Sequence, residues 1–443
     1  MLTALVALTL LAPPPSGIVF IEDDYQSALA RAKAGHKPLF LDSWATWCHS
    51  CLSMRSFVFP DAGLRPAKDA VVWLAVETEA EKNRAVVEKF PADGLPTFLL
   101  IDPNTEQVIG RWLGSSSVNE MRQFVLATTA DWKAGQTGGK VSEAARAEQQ
   151  GHAAQQKRDY AAAVADYRRA LALSAKDDPL RPQRVSLLAG ALGRLRTPEG
   201  YRECVALASA ELAGMPASPP GGDLAIHAAN CASKVPDAPG AKALLAAALA
   251  RMDALAGDSA AALSVDDRSD LYANLADALD DLKRHDAAVA AMRKRSAMLD
   301  AAAAAAPDAA SAATFDPHRA ETYLYLGEAS KAEAMLVARE KEMPGDYNPP
   351  ARLARVLLEE KRLPEAEAAV NRALALMSQG PRKVGILGLK ARILKEEGKD
   401  PRPVLQEQLA LLRTLPTTQQ QPETEKRIQA ELKALDGAPT AKR

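Results

Sequence analysis

The chain has 443 residues, with 55 Lys and Arg against 56 Asp and Glu, for a net charge of −1. That length exceeds a single hydrophobic core and asks for two or more domains. The balanced charge offers no basic excess for nucleic acid or an anionic membrane surface. Apolar residues are 47% and charged residues 25%, the make-up of a soluble globular protein. Alanine runs crowd the chain after Gln150, which points to helix there.

Met1 to Ala12 is almost wholly apolar and is followed by Pro13, Pro14 and Pro15. The run is too short to span a bilayer. It reads as the apolar part of an export signal, although no Lys or Arg precedes it and no small-x-small cleavage site follows. Residues 1–15 are therefore expected to be a signal peptide or an apolar N-terminal segment. The protein is expected in the periplasm or secreted, with the cytoplasm as the alternative. No other segment is long and apolar enough for a membrane span.

From Ile18 to Thr129, short apolar runs alternate with amphipathic stretches. Strands are expected at 18–21, 38–42 (PLFLD), 71–76 (VVWLAV), 97–101 (TFLLI) and 108–113. Helices are expected at 24–35, from Cys48 onward, at 79–90 and at 117–129, with a turn at Asp102-Pro103-Asn104. This alternation argues for a central mixed sheet flanked by helices, an α/β domain over 18–131. Residues 132–140 (WKAGQTGGK) are glycine-rich and polar and are expected to be a linker.

Strand signals then stop. Over 141–437, helical hairpins recur with a loose period of roughly thirty to forty residues, the mark of an all-α solenoid. The clearest unit is 142–173, followed by 267–299 and 349–377. More degenerate pairs lie near 185–213, 223–256, 319–343 and 382–414, and 423–435 reads as a capping helix. Residues 216–222 and 301–317 are expected to be irregular.

The chemistry concentrates in Asp42-Ser43-Trp44-Ala45-Thr46-Trp47-Cys48-His49-Ser50-Cys51. Two cysteines three apart at a helix start can bond or open with little backbone movement. The helix N-terminus favours thiolate on Cys48. Cys48 is expected to be the exposed nucleophile and Cys51 the resolving thiol. Zinc or copper would need two further ligands, and no His pair has ligand spacing, so no metal is expected. His49 either stabilises the Cys48 thiolate or fills the dipeptide as an exposed residue. Trp44 and Trp47 are expected to pack around the site, with Trp47 as a lip for peptide substrates. Cys204 and Cys231 read as two buried thiols or as a disulfide between neighbouring helices.

This segment resembles the active site of the thioredoxin superfamily. Asp42 stands six residues before Cys48, where that family keeps a buried carboxylate. Gly94-Leu95-Pro96-Thr97 follows Cys51 by about forty-five residues, where the family has a cis-proline across the disulfide. Gly114 falls on a glycine of close approach. Met54, three residues after Cys51, makes the stretch 18–128 similar to the C-terminal domain of the DsbD family of disulfide interchange proteins. The unit at 142–173 resembles a tetratricopeptide repeat, with Gly151, Ala163, Tyr167 and Ala170 at its small and aromatic positions and Ala147 where a large aromatic is usual. Leu52 and Trp73 depart from the thioredoxin pattern, each replacing a lysine.

The resemblance implies catalysis by Cys48, Cys51, Asp42 and Pro96, with substrate contacts from Trp47, His49 and Leu95. The expected activity is protein-disulfide reduction, with no cofactor beyond the redox-active disulfide. Clients with disulfides, an upstream thiol electron donor and a protein held by the repeats would be the partners. Ser50 before Cys51, rather than histidine, and the buried Asp42 both favour the reducing direction. The alternative is a non-catalytic repeat scaffold whose thioredoxin fold senses redox state.

Overall fold

The computed structural model describes residues 17–92, 94–137, 142–377, 380–416 and 419–436. The expected apolar leader at 1–15 lies outside them. The first domain carries a five-stranded sheet, β1 (Ile21–Glu22), β2 (Leu39–Trp44), β3 (Val72–Glu77), β4 (Thr97–Ile101) and β5 (Val108–Leu113), in the order β1-β3-β2-β4-β5. β3 runs parallel to β1 and β2, and β4 runs antiparallel to both β2 and β5. β2, at the centre, is an apolar run with both faces covered, as expected of a buried strand.

Helices α1 (Tyr25–Gly35), α2 (His49–Ser53), α3 (Arg84–Lys89) and α4 (Val118–Gln136) flank this sheet. On one face Phe40, Phe59, Trp73 and Phe98 join Met54 and Phe124 in a single cluster. On the other, Leu39, Leu41, Leu74 and Leu99 meet Tyr25, Leu29 and Val87. The strict alternation of β2 side chains thus feeds two cores. β1 is shorter and later than expected. α4 runs to Gln136, closed at its start by a capping box between Ser117 and Glu120. The linker expected at 132–140 is therefore helical over its first five residues, where Trp132, Lys133, Ala134 and Gln136 carry α4 through Gly135.

Sixteen helices follow among the described residues. They form the pairs α5 (Glu143–Gln156) and α6 (Tyr160–Leu173), α7 (Arg181–Arg194) and α8 (Pro198–Glu211), and α9 (Pro219–Lys234) and α10 (Ala241–Gly257). Next come α11 (Val265–Asp281) and α12 (His285–Ala305), the short α13 (Ala309–Ala313), and α14 (Asp316–Tyr325) with α15 (Ala329–Glu342). The array ends with α16 (Asn348–Glu359), α17 (Leu363–Ala375), α18 (Pro381–Glu396), α19 (Arg402–Thr414) and α20 (Pro422–Asp436). Helical-hairpin packing is tight where the repeat pattern demands small residues: a Cβ on Gly151 would come within 2.5 Å of the Tyr167 ring. Two segments expected to be irregular are partly helical. α9 starts at Pro219, which is tolerated in a first turn, and the alanines at 301–305 prolong α12.

The array does not trail away from the first domain. Gln156 reaches the carbonyl of Pro91, Ser218 reaches Glu120, Asp267 meets Ser115, Tyr347 meets Thr46, and Gln419 reaches the carbonyl of Thr78. Contacts therefore recur from α5 to the segment before α20, so the solenoid curves around the domain.

Candidate redox site

Cys48 and Cys51 form a disulfide. Cys48 is the N-cap of α2, and the backbone N–H of Cys51 donates to the Cys48 sulfur at 3.2 Å. α2 continues without a break into a π-turn, Met54–Val58, that buries Met54 and Val58. The sulfur thus sits where unpaired helix N–H groups face it. Ala45, Trp44, Trp47 and Leu95 pack around the two cysteines.

The expected exposure of Cys48 is corrected here: it is 4% exposed and Cys51 1%. Trp44, Trp47 and Leu95 of the same domain pack on it, and the array closes over the loop before α2. The hydroxyl of Thr46 donates to Tyr347 at 3.2 Å, and Asn348 donates to the Thr46 carbonyl at 3.4 Å. The Trp47 indole donates to Glu79 at 3.0 Å, and the same carboxylate accepts the backbone N–H of Arg382 at 3.0 Å. Arg382 lies over the Trp47 ring at 5.5 Å. Trp47 is therefore tied to the array and lines, with His49, a cleft of about 1740 Å³ against α14, α16 and α18.

Asp42 lies on β2 and is wholly buried, with Arg55 Nη1 3.4 Å from one oxygen. Its other oxygen has no hydrogen-bond partner among the described residues. Burial pushes this carboxyl up to about 7 even though Arg55 pulls it down. Arg55 also bonds Glu22 at 2.8 Å and stacks 4.3 Å over Trp44. Burial likewise raises Glu79 to about 7, against the lowering effect of the Trp47 bond.

The Leu95–Pro96 bond is cis, and the Pro96 carbonyl accepts the N–H of Gly114 at 3.0 Å. Gly114 is required by its φ of +88°, because a Cβ there would meet nothing within 4 Å. The close approach expected at this residue is thus a backbone conformation instead. Trp73 is a core residue whose indole donates to the Lys68 carbonyl at 2.9 Å.

His49 turns away into the array. Its Nδ1 lies 3.0 Å from Asp266 on α11 and 3.0 Å from His318 Nε2 on α14, and Ser50 Oγ is at 3.2 Å. His318 Nε2 stands 2.8 Å from Asp266 Oδ1, and Arg295 of α12 donates to His318 Nδ1 at 2.8 Å. Burial would push His49 down, but the charge and hydrogen bond of Asp266 raise it to about 9. Burial favours a neutral Asp266, yet His318 and His49 pull it well below the usual carboxylate range. Ligand-type atoms of His49, Asp266, Asp270 and His318 fall within 4.8 Å of one another, the spacing of a metal site. Arginine can only donate, so its bond assigns the lone pair of His318 to Nδ1 and a proton to Nε2. With that tautomer, Nε2 faces Asp266 as a donor.

The structure therefore brings Cys48, Cys51, Trp47 and Leu95 together around one disulfide, with Asp42 on the strand that leads into it and the His49 ring turned to Asp266 and His318. Sequence reasoning missed Arg55, Glu79, Asp266 and His318. Arg55 was findable as the basic residue one helical turn beyond Cys51; the other three carry no local signal.

A thioredoxin-like domain bearing a CxxC disulfide, followed by a tetratricopeptide-like helical array, is the class that this fold and site define. In agreement, the thioredoxin-like domain family matches residues 25–128, and the tetratricopeptide repeat matches 148–177 and 269–294. The thiol:disulfide interchange protein DsbD of Pseudoalteromonas atlantica is 32% identical over 90 residues, 20% of this chain and 15% of that protein. DsbD of Yersinia enterocolitica is 35% identical over 103 residues, 23% of this chain and 18% of that protein. The chain thus spans under a fifth of the length of these relatives. A tetratricopeptide repeat protein from Parabacteroides merdae aligns at a TM-score of 0.37 and 12% identity, covering 66% of this chain and 97% of that one. No helix among the described residues is long and apolar enough to cross a membrane.

Proposed function

We propose that the chain is a protein thiol–disulfide oxidoreductase that reduces client disulfides, and that its repeats hold a protein partner or client beside the site. The observation that carries this is the Cys48–Cys51 pair at the start of α2, on the strand-to-helix connection that follows buried Asp42. In the reduced protein, the Cys48 thiolate attacks one sulfur of a client disulfide and expels the other as a thiolate. Cys51 gives up its proton, with Asp42 as the acceptor, and attacks the Cys48 sulfur. The second client thiol leaves and the Cys48–Cys51 disulfide forms. Two electrons pass to the client, and an upstream thiol donor restores the dithiol. A carboxyl titrating at about 7 suits that proton transfer near neutral pH. The step needs no cofactor besides the dithiol. Leu95, Trp47 and the cis-Pro96 would contact the client.

Ser50 in place of a histidine before Cys51, and the carboxyl at Asp42, support the reducing direction. The equilibrium of the pair with glutathione tests it: a potential toward the −270 mV end of the range from about −270 to −120 mV is expected. A value near −120 mV with efficient oxidation of reduced clients would make the protein an oxidase. An exported, oxidising location is supported by the second disulfide, Cys204–Cys231, between α8 and α9.

The burial of Cys48, with the array closed over the loop before it, favours a second reading, a repeat scaffold whose redox pair is a sensor. Turnover of a protein disulfide by the full chain separates the two, since a sensor would be oxidised once and stop.

A further inference from the structure

We propose that Asp266 and His318 of the repeat array are positioning residues for the redox pair: they fix the His49 imidazole inside the Cys-His-Ser-Cys motif and so set the equilibrium between the Cys48–Cys51 disulfide and its dithiol. This inference rests on the redox reading of Cys48 and Cys51. It adds that the array is part of the redox centre.

The geometry is a relay of hydrogen bonds from three array helices. Arg295 is held by Ser269 at 2.9 Å and Glu321 at 2.9 Å, and donates to His318 at 2.8 Å. His318 is 4% exposed, and its backbone carbonyl accepts the Thr322 hydroxyl at 2.6 Å. Its Nε2 and the Nδ1 of His49 both lie within hydrogen-bond distance of Asp266, at 2.8 and 3.0 Å. Asp266 is 1% exposed, on the first turn of α11, which is capped by Ser264 and Asp267. A charged carboxylate so buried is costly unless it is answered by charge and hydrogen bonds. His318 answers with one N–H, and its second nitrogen is occupied by Arg295. The counter-charge therefore falls to His49. The other charged groups facing His49 are Asp270 and Arg352, which oppose one another.

His49 adjoins Cys48 in the chain, whereas Asp266 reaches the site through His49. A cation held at His49 favours the thiolate that appears on Cys48 when the disulfide opens. It therefore favours the dithiol form and works against Ser50 and Asp42. Without Asp266, the imidazole loses its fixed place and its reason to stay protonated. The disulfide should then gain.

The test is the equilibrium of the full chain with glutathione at pH 7.5, read by thiol trapping. Asp266→Asn and His49→Gln should each shift the pair toward disulfide by roughly tenfold, equivalent to about 30 mV for a two-electron couple. The double variant should match His49→Gln alone, and Asp266→Glu should return to within about twofold of wild type. An unmoved equilibrium in a folded Asp266→Asn protein overturns the proposal, as does a shift that persists when His49 is absent. Should Asp266→Asn not fold, ¹⁵N NMR of the wild-type imidazoles decides: an imidazolium at His49 at pH 7.5 supports the proposal and a neutral ring overturns it. If the wild-type pair does not exchange with glutathione at all, the redox reading fails and takes this proposal with it. Exchange in wild type with no effect of Asp266→Asn removes the positioning role alone.

Discussion

Arg55 stands 3.4 Å from one oxygen of Asp42, and the other oxygen has no hydrogen-bond partner among the described residues. The carboxyl is thus half-answered in a buried site. Burial holds its pKa at about 7, against an ordinary 3.8. Between about pH 4 and pH 7 the folded protein keeps a proton that the unfolded chain has released. Stability contributed by this group is full below that window and is lost as pH rises through it. Asp42→Asn should remove the dependence. The variant should be more stable than wild type at pH 8, by up to roughly 4 kcal/mol, and similar at pH 4. Urea unfolding of both oxidised proteins at the two pH values checks the sign. A variant less stable at pH 8 would mean that the ionised carboxylate is well satisfied.

Cys48 caps α2 and Cys51 lies a turn inside it. After reduction, Cys48 should react first with a small alkylating agent, because it alone faces the helix N–H groups. Its 4% exposure adds a size effect: a bulky maleimide should label it much more slowly than iodoacetamide does. Cys51→Ser should accumulate mixed disulfides, and Cys48→Ser should lose all transfer. Peptide mapping of singly labelled protein checks the order, and faster labelling of Cys51 would reverse the roles.

The array contacts the first domain from Gln156 to Gln419. Low contact across the linker would have let the halves separate on cutting. The opposite is expected. A protease site inserted between Thr137 and Ser142 should be cut, yet the fragments should co-elute on gel filtration at low salt. Asp267→Ala, which removes the partner of Ser115 at 2.5 Å, combined with Tyr347→Phe, should weaken that association. Separate elution of the wild-type fragments would contradict the interface.

Cys204 and Cys231 are joined across 27 residues between α8 and α9, and neither is exposed. A crosslink of that span restricts the unfolded chain and contributes about 3.5 kcal/mol. Cys204→Ser with Cys231→Ser should lower the thermal midpoint of the array by several degrees. It should leave the glutathione equilibrium of Cys48 and Cys51 unchanged. A midpoint equal to wild type would mean that the bridge is absent in solution.

The parts legible in the sequence are those encoded locally. PLFLD, VVWLAV and TFLLI are uninterrupted apolar runs, and each became a strand of the sheet. Asp159 followed by the alanines of α6, with Tyr167 over Gly151, spelled out a helical hairpin. The disulfide motif and Pro96 were legible for the same reason. What escaped was set by the curvature of the solenoid. His49 meets Asp266 and His318, which are 217 and 269 residues away, and no period or cap announces that meeting. The burial of Cys48 escaped as well, since a helix start is exposed until something packs on it, here Trp44, Trp47 and Leu95. The segment from 301 onward lacks hairpin periodicity, yet the helix propensity of its alanines carries α12 to Ala305.

The most direct measurement is insulin reduction by the full chain with dithiothreitol as donor, compared with the Cys48→Ser variant. The expected result is sustained turnover, with many insulin disulfides cleaved per protein molecule and none above background in Cys48→Ser. Wild-type reduction no faster than the variant, or a single turnover followed by arrest, would contradict the assignment as an oxidoreductase.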